Sequence, residues 1–140
     1  MTNGQLIEIR DFQGEGYMPL ITHAGWRVAV LNYLDELLPS NITSMERHLG
    51  TDEVFVLVKG WGVLLLGGNG AKVEELTEVE MKIGMVYNIR LNTWHSILLS
   101  PEASVLIVEN DDTCEANSEK CPLEDGIRKQ IKAVADLYGF

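Results

Sequence analysis

Long apolar runs are absent from this 140-residue chain. No stretch reaches the roughly 18 apolar residues that a membrane-spanning helix needs, so no membrane span is expected. Basic residues are scarce: 11 Lys and Arg stand against 21 Asp and Glu, for a formal charge of −10. That balance argues against nucleic acid and anionic membrane surfaces as partners, because both would be repelled. A small-molecule ligand stays open, since a ligand responds to its pocket more than to the total charge. Only two cysteines occur, Cys114 and Cys121, in a polar acidic segment. Their Cys-x6-Cys spacing is not that of a zinc knuckle, and two thiols fall short of a disulfide framework. Free thiols in a reducing compartment are expected. Residues Met1 to Arg10 lack the basic start and apolar run of a secretory signal, which fits a cytoplasmic location. There are three histidines, so any that fall into a pattern carry weight.

What is present is a β-rich pattern. Apolar residues make up 46% of the chain, enough to give one domain, residues 1–140, a core of its own. From about 25 to 109, short apolar runs are broken by Gly, Pro, Asn and acidic residues. Trp26 to Tyr33, Asn41 to Leu49, Glu53 to Val58, Trp61 to Leu66, Met85 to Ile89, Ser96 to Leu99 and Ala103 to Val108 read as strands. Glu53 to Val58 and Trp61 to Leu66, separated by little more than Gly60, predict a hairpin. Gly67 to Gly70 predicts a turn. Ala71 to Met81 holds helix formers but sits between strands, and a strand is the reading adopted. Seven or eight short strands without helical crossovers indicate a sandwich or barrel rather than a parallel α/β sheet.

Beyond Glu109 the character changes. Residues 110–125 are polar and acidic and predict a surface loop. Ile127, Ile131, Val134 and Tyr138 then fall on one helical face, predicting a helix over about 126–138 that packs on the outside of the β-structure. Asp125 is a plausible N-cap.

Two segments carry the candidate chemistry: Glu46-Arg47-His48-Leu49-Gly50-Thr51-Asp52-Glu53 and Asn92-Thr93-Trp94-His95. Residues two apart on a strand face the same way, so Glu46 and His48 share a face, as do Glu53, Phe55 and Leu57, and His95, Ile97 and Leu99. If those faces point inward, Glu46, His48, Glu53 and His95 meet. Imidazole with carboxylate suits a divalent transition metal such as Zn, Ni, Mn or Fe rather than Mg or Ca. The competing solution is pairing among themselves, for example a Glu–His hydrogen bond. Arg90, at a strand end, and Tyr87 are candidates for binding substrate, Arg90 by clamping a carboxylate. Arg47 alternates with Glu46 and His48 and should face outward. Trp94 should face away from His95, towards the outside or an interface.

The order His48, four residues, Glu53, six residues, Gly60, and later His95 resembles the two signature motifs of the cupin superfamily. The resemblance covers about Trp26 to Val108. Glu46 stands where cupins usually carry their first histidine. The Glu46-Arg47-His48 stretch, Thr51, Phe55 and Asn92-Thr93-Trp94-His95 resemble more closely the ureidoglycolate lyase-like branch. This implies an all-β fold, a double-stranded β-helix or jelly-roll barrel with a C-terminal helix, and a homodimer. It implies metal ligation by His48, Glu53, His95 and Glu46, with Glu46 or Glu53 moving the proton in a lyase-type reaction on an α-hydroxy or ureido acid. Two other functions stay open: a non-catalytic ligand- or sugar-binding module, and a metal-free sugar isomerase or epimerase.

Overall fold

A computed structural model describes residues 6–140. Among the described residues ten strands run in chain order: β1 (Gly16–His23), β2 (Trp26–Asn32), β3 (Ser44–His48), β4 (Glu53–Lys59), β5 (Gly62–Leu66), β6 (Thr77–Glu80), β7 (Val86–Ile89), β8 (His95–Leu99), β9 (Ser104–Asn110) and β10 (Ser118–Pro122). One helix, α1 (Asp125–Tyr138), closes the chain. The strands form two five-stranded antiparallel sheets, ordered β1-β2-β9-β4-β7 and β10-β3-β8-β5-β6. This is the jelly-roll layout of the cupin type. Strand pairing among the described residues leaves it as two facing sheets rather than a closed hydrogen-bonded cylinder.

Two apolar layers result. Between the sheets lie Phe55 and Leu57 of β4, Leu64 of β5, Ile97 and Leu99 of β8, and Val105 and Ile107 of β9. The alternation along β4, β8 and β9 places these side chains on one face. The other face of the second sheet presents Met45, Val63, Leu65 and Leu98 to Ile127, Ile131 and Val134 of α1. Strand β5 is therefore apolar on both sides, which its sequence Gly-Val-Leu-Leu-Leu reflects. The helix ends at Gly139, whose φ of 82° is the left-handed conformation glycine adopts without strain.

Several expectations change. β4 and β5 do not form a hairpin. β4 pairs with β7 and β9, whereas β5 pairs with β6 and β8, so the chain crosses from one sheet to the other at Gly60. Gly60 has a φ of 75°, and a Cβ there would meet the Ala103 Cα at 2.7 Å. A sharp corner and a hairpin carry the same glycine signal. Of residues 71–81 only Thr77–Glu80 is a strand. Strand β1 precedes the first predicted strand, and β10 lies inside the predicted acidic loop, where Cys121 buries itself under α1. Glu124 rather than Asp125 occupies the helix N-cap position, without a side-chain cap. Trp94 does face away from His95, but it is buried, 2% exposed, among the residues under α1 rather than outside or at an interface.

Candidate active site

The two sheets part at one end around a cavity of about 940 Å³. β3 and β8 deliver His48, Glu46 and His95 from one sheet, while β4 and β9 deliver Glu53 and Glu109 from the other. Phe55, Ile97 and Ile107 form its apolar floor. Local bonds hold the two histidine-bearing segments in register. Asn92, in a left-handed conformation with φ of 65°, donates its N–H to the His48 carbonyl at 2.8 Å. Trp94 donates its N–H to Gly68 O and its indole Nε1–H to Gly70 O, which anchors the residue before His95 to the Gly-rich turn. Arg47 lies over the Trp94 ring, 4.2 Å from its centroid, and pairs with Glu119. It therefore stays out of the cavity.

The imidazole orientations follow from their partners. His95 Nδ1 lies 2.9 Å from the Thr93 carbonyl. A carbonyl only accepts, so Nδ1 carries the hydrogen and Nε2 points at the site. There Nε2 stands 3.0 Å from Glu53 Oε1. His48 Nδ1 is 2.8 Å from Ser118 Oγ on β10, and its Nε2 lies 3.4 Å from Glu53 Oε1 and 4.0 Å from Glu46 Oε1. His48 Nε2 is buried with no hydrogen-bond partner among the described residues.

A second cluster lies beside it. Arg27 and Glu109 are directly opposite each other on β2 and β9. Arg27 Nη2 reaches Glu109 Oε1 at 2.8 Å, and the Tyr17 hydroxyl donates to the same oxygen. Glu109 Oε2 is buried and has no partner among the described residues. Burial works against ionisation of Glu53, but His48 and His95 hold its carboxyl well below the usual range. Burial also works against charging the two imidazoles, yet Glu53 outweighs it and both lie above their ordinary value. Glu109 is pushed up to about 7 by burial, by a hydrogen bond that its protonated form gives Glu53 and by the Glu53 charge, against the pull of Tyr17 and Arg27.

The structure thus brings Glu46, His48, Glu53 and His95 around one cavity. Arg90 and Tyr87 are not among the residues lining it. Tyr87 Oη accepts from the Lys82 N–H at 2.8 Å, at the far end of β7, and Arg90 is exposed beyond Ile89, whose side chain takes the inward position. Glu109, Arg27, Tyr17 and Ser118 were not singled out in the sequence. Glu109 was within reach of the period-2 rule, since it continues the inward face of Val105 and Ile107. Ser118 was hidden because its strand reads as a polar loop.

The residues present suit a divalent metal. One ligand atom each from Glu46, His48 and His95 lie within 4.8 Å of one another, and the same holds for His48, Glu53 and Glu109. An orphaned buried imidazole nitrogen beside carboxylates is costly until a cation or proton satisfies it.

No family model matches the chain, and no curated protein matches it. Solved structures do share its fold. The capsular polysaccharide assembling protein CapF from Staphylococcus aureus aligns with a TM-score of 0.56 at 19% identity, over 81% of this chain and 31% of CapF. Pac13 from Streptomyces, solved with uridine and described as a unique nucleoside dehydratase, aligns at 0.54 and 11% identity, over 80% of this chain and 83% of Pac13. Fe(II) HppE aligns at 0.51 and 14% identity, over 68% of this chain and 50% of HppE. At these identities the likeness establishes a shared cupin-type jelly-roll fold.

Proposed function

We propose that this protein is a metal-dependent enzyme acting on a small polar molecule in the cavity between its sheets. The observation that carries the reading is His48 Nε2, buried without a well-formed hydrogen bond among the described residues, with His95 Nε2 and the Glu53 and Glu46 carboxylates gathered beside it. His48, His95, Glu53 and Glu46 would hold the ion. A divalent ion so bound supplies Lewis-acid polarisation of a substrate oxygen. The chain's own residues do the rest. Ser118 and the Thr93 carbonyl fix the two imidazole rings through Nδ1, the outer-shell arrangement that orients histidine ligands. Glu46, whose side chain is 46% exposed, is the carboxylate with most access to incoming substrate and is suited to moving a proton. Phe55, Ile97 and Ile107 keep the floor dry. Pac13, an enzyme of the same fold, and HppE, solved with iron, support the reading.

The 3.0 Å contact between His95 and Glu53 favours one second reading, a metal-free acid–base pair. Elemental analysis of protein purified without chelators separates the two. The metal reading expects about one transition-metal ion per chain, lost in both His48→Ala and His95→Ala. Folded protein without metal, and unable to take any up on dialysis, would refute it. The ureidoglycolate lyase resemblance would further make the substrate an anionic ureido acid. Neither CapF, Pac13 nor HppE supplies that link, and the charge of the cavity bears on it directly.

A further inference from the structure

We infer that the cavity selects an uncharged or cationic molecule rich in hydroxyl or N–H donors, and discriminates against carboxylates and phosphates. This deepens the functional reading above and rests on the same cavity. Two buried atoms of the lining residues, His48 Nε2 and Glu109 Oε2, make no well-formed hydrogen bond among the described residues, with only Glu53 beside them, so the space leaves room for an occupant to bond to. The occupant's charge follows from the lining.

The deep charges are already matched. Arg27 has four of its five N–H donors engaged: Nε to the Tyr17 hydroxyl, one on Nη1 to Asp111 O, and both on Nη2 to Glu109 and Thr113 O. The single N–H left on Nη1 cannot make a bidentate grip on a ligand anion. Glu53 is met by the two imidazoles, or by the metal they would hold. Towards the mouth stand three carboxylates, Glu36, Glu46 and Glu115, against one ammonium, Lys120, which lies across from Glu46 in the pairing of β10 with β3. Lys120 is exposed and makes no ion pair among the described residues. With both histidines protonated, or a divalent ion in their place, the lining has five carboxyl groups against four positive charges and balances once Glu109 carries its proton, so the carboxylate excess lies at the mouth. Arg47 and Arg90 do not line the cavity.

Hydrogen-bond polarity points the same way. Ionised carboxylates only accept, so a ligand facing Glu36, Glu46 and Glu115 must donate. An α-hydroxy or ureido acid would bring its own carboxylate into this field without a clamp. A polyol, amide or amine would satisfy it, with its apolar face on Phe55 and Ile107.

Cys114 gives the test, because it is exposed and lines the cavity, whereas Cys121 is buried. Rates of Cys114 modification are measured with sulfonatoethyl and trimethylammonioethyl methanethiosulfonate, each normalised to its rate with free cysteine. The measurement is made on chelator-stripped and on metal-loaded protein. The inference expects the cationic reagent to be favoured on the order of tenfold, with the preference reduced in E36Q/E46Q and surviving in E115Q. A normalised ratio of one or below in either form overturns it, and so does a preference abolished by E115Q alone, which would make it a local effect of the neighbouring side chain. Metal uptake is read separately, so a protein that binds no metal yet prefers the cation refutes the metal reading and leaves the selectivity standing.

Discussion

Glu46 of β3 lies directly across from His95 of β8, the registered pair by which those two strands meet. This contact joins the two sequence motifs. Because side chains alternate, His48 follows Glu46 onto the same cavity face, and a slip of one residue would turn both away. The imidazoles are then fixed by their outer nitrogens, His48 through Ser118 and His95 through a backbone carbonyl. Ser118→Ala should leave the fold intact and weaken metal binding by about 10–100-fold, as loss of an outer-shell partner does. Competition against a chelator of known affinity measures this. Affinity unchanged in the variant would show that the hydroxyl does not orient His48.

The same cluster sets a pH dependence for the metal-free protein. Glu53 lies below its ordinary value, so its contribution is present above that value and is lost as pH falls through the folded one. His48 and His95 lie above theirs. Their contribution is complete below the ordinary imidazole value of 6.5 and is lost as pH rises through the raised ones. Glu109, raised from 4.5 to about 7, keeps its proton longer in the folded state, so stability declines as pH climbs through that interval. Both effects act in one direction, and thermal stability in chelator should fall as pH rises from about 4.5 to 7 through Glu109 and go on falling above 6.5 through the two histidines. Glu109→Gln should flatten the decline. With a divalent transition metal present the trend should reverse, because the ligands must lose their protons to bind it. Thermal unfolding across this range, with and without metal, checks the sign.

Much of this arrangement was legible beforehand because it depends on strand alternation. Glu46 with His48, Glu53 with Phe55, and His95 with Ile97 were expected on shared faces, and the cavity gathers all of them. What stayed hidden depends on which strands pair. Gly60 reads as a turn whether the chain doubles back in one sheet or crosses to the other, and only long-range pairing decides. β10 has a polar sequence, Ser-Glu-Lys-Cys-Pro, because one face looks to the cavity mouth and only Cys121 is buried. Arg27 sits at an inward position of β2 that hydropathy alone assigns to an apolar residue. Its partner across the strand pair, Glu109, is what makes it tolerable there.

Gly60 offers a test of the corner. Its φ of 75° disfavours any side chain, and an added Cβ would lie 2.7 Å from both the Ala103 Cα and the Ser100 Oγ. Gly60→Ala should therefore cost about 1–3 kcal/mol through backbone strain and overpacking. Denaturant unfolding reads the loss. Full stability would mean that the corner relaxes without consequence.

Removal of α1 packing should separate scaffold from site. Ile131 is fully buried between the helix and the second sheet, on the side away from the cavity. Ile131→Ala should cost about 2–5 kcal/mol, while metal stoichiometry in the still-folded fraction stays unchanged. Loss of metal from protein that remains folded would show that the helix supports the site rather than the sheet alone.

The Arg27–Glu109 pair makes the sharpest energetic prediction. The side chains are 16% and 3% exposed. Removing Arg27 leaves a buried carboxylate without its cation, which costs about 3–5 kcal/mol when the charge persists. Glu109 has an escape, since its carboxyl already titrates near 7 and loss of the guanidinium raises it further. Arg27→Met should therefore be most damaging above pH 7 and progressively milder below it, as Glu109 takes up a proton. Arg27→Met combined with Glu109→Gln should recover much of the loss at high pH and little at low pH. A double-mutant cycle of unfolding free energies at about pH 5.5 and 8 measures both. Equal costs at the two values would show that Glu109 stays ionised throughout, held by Tyr17 alone.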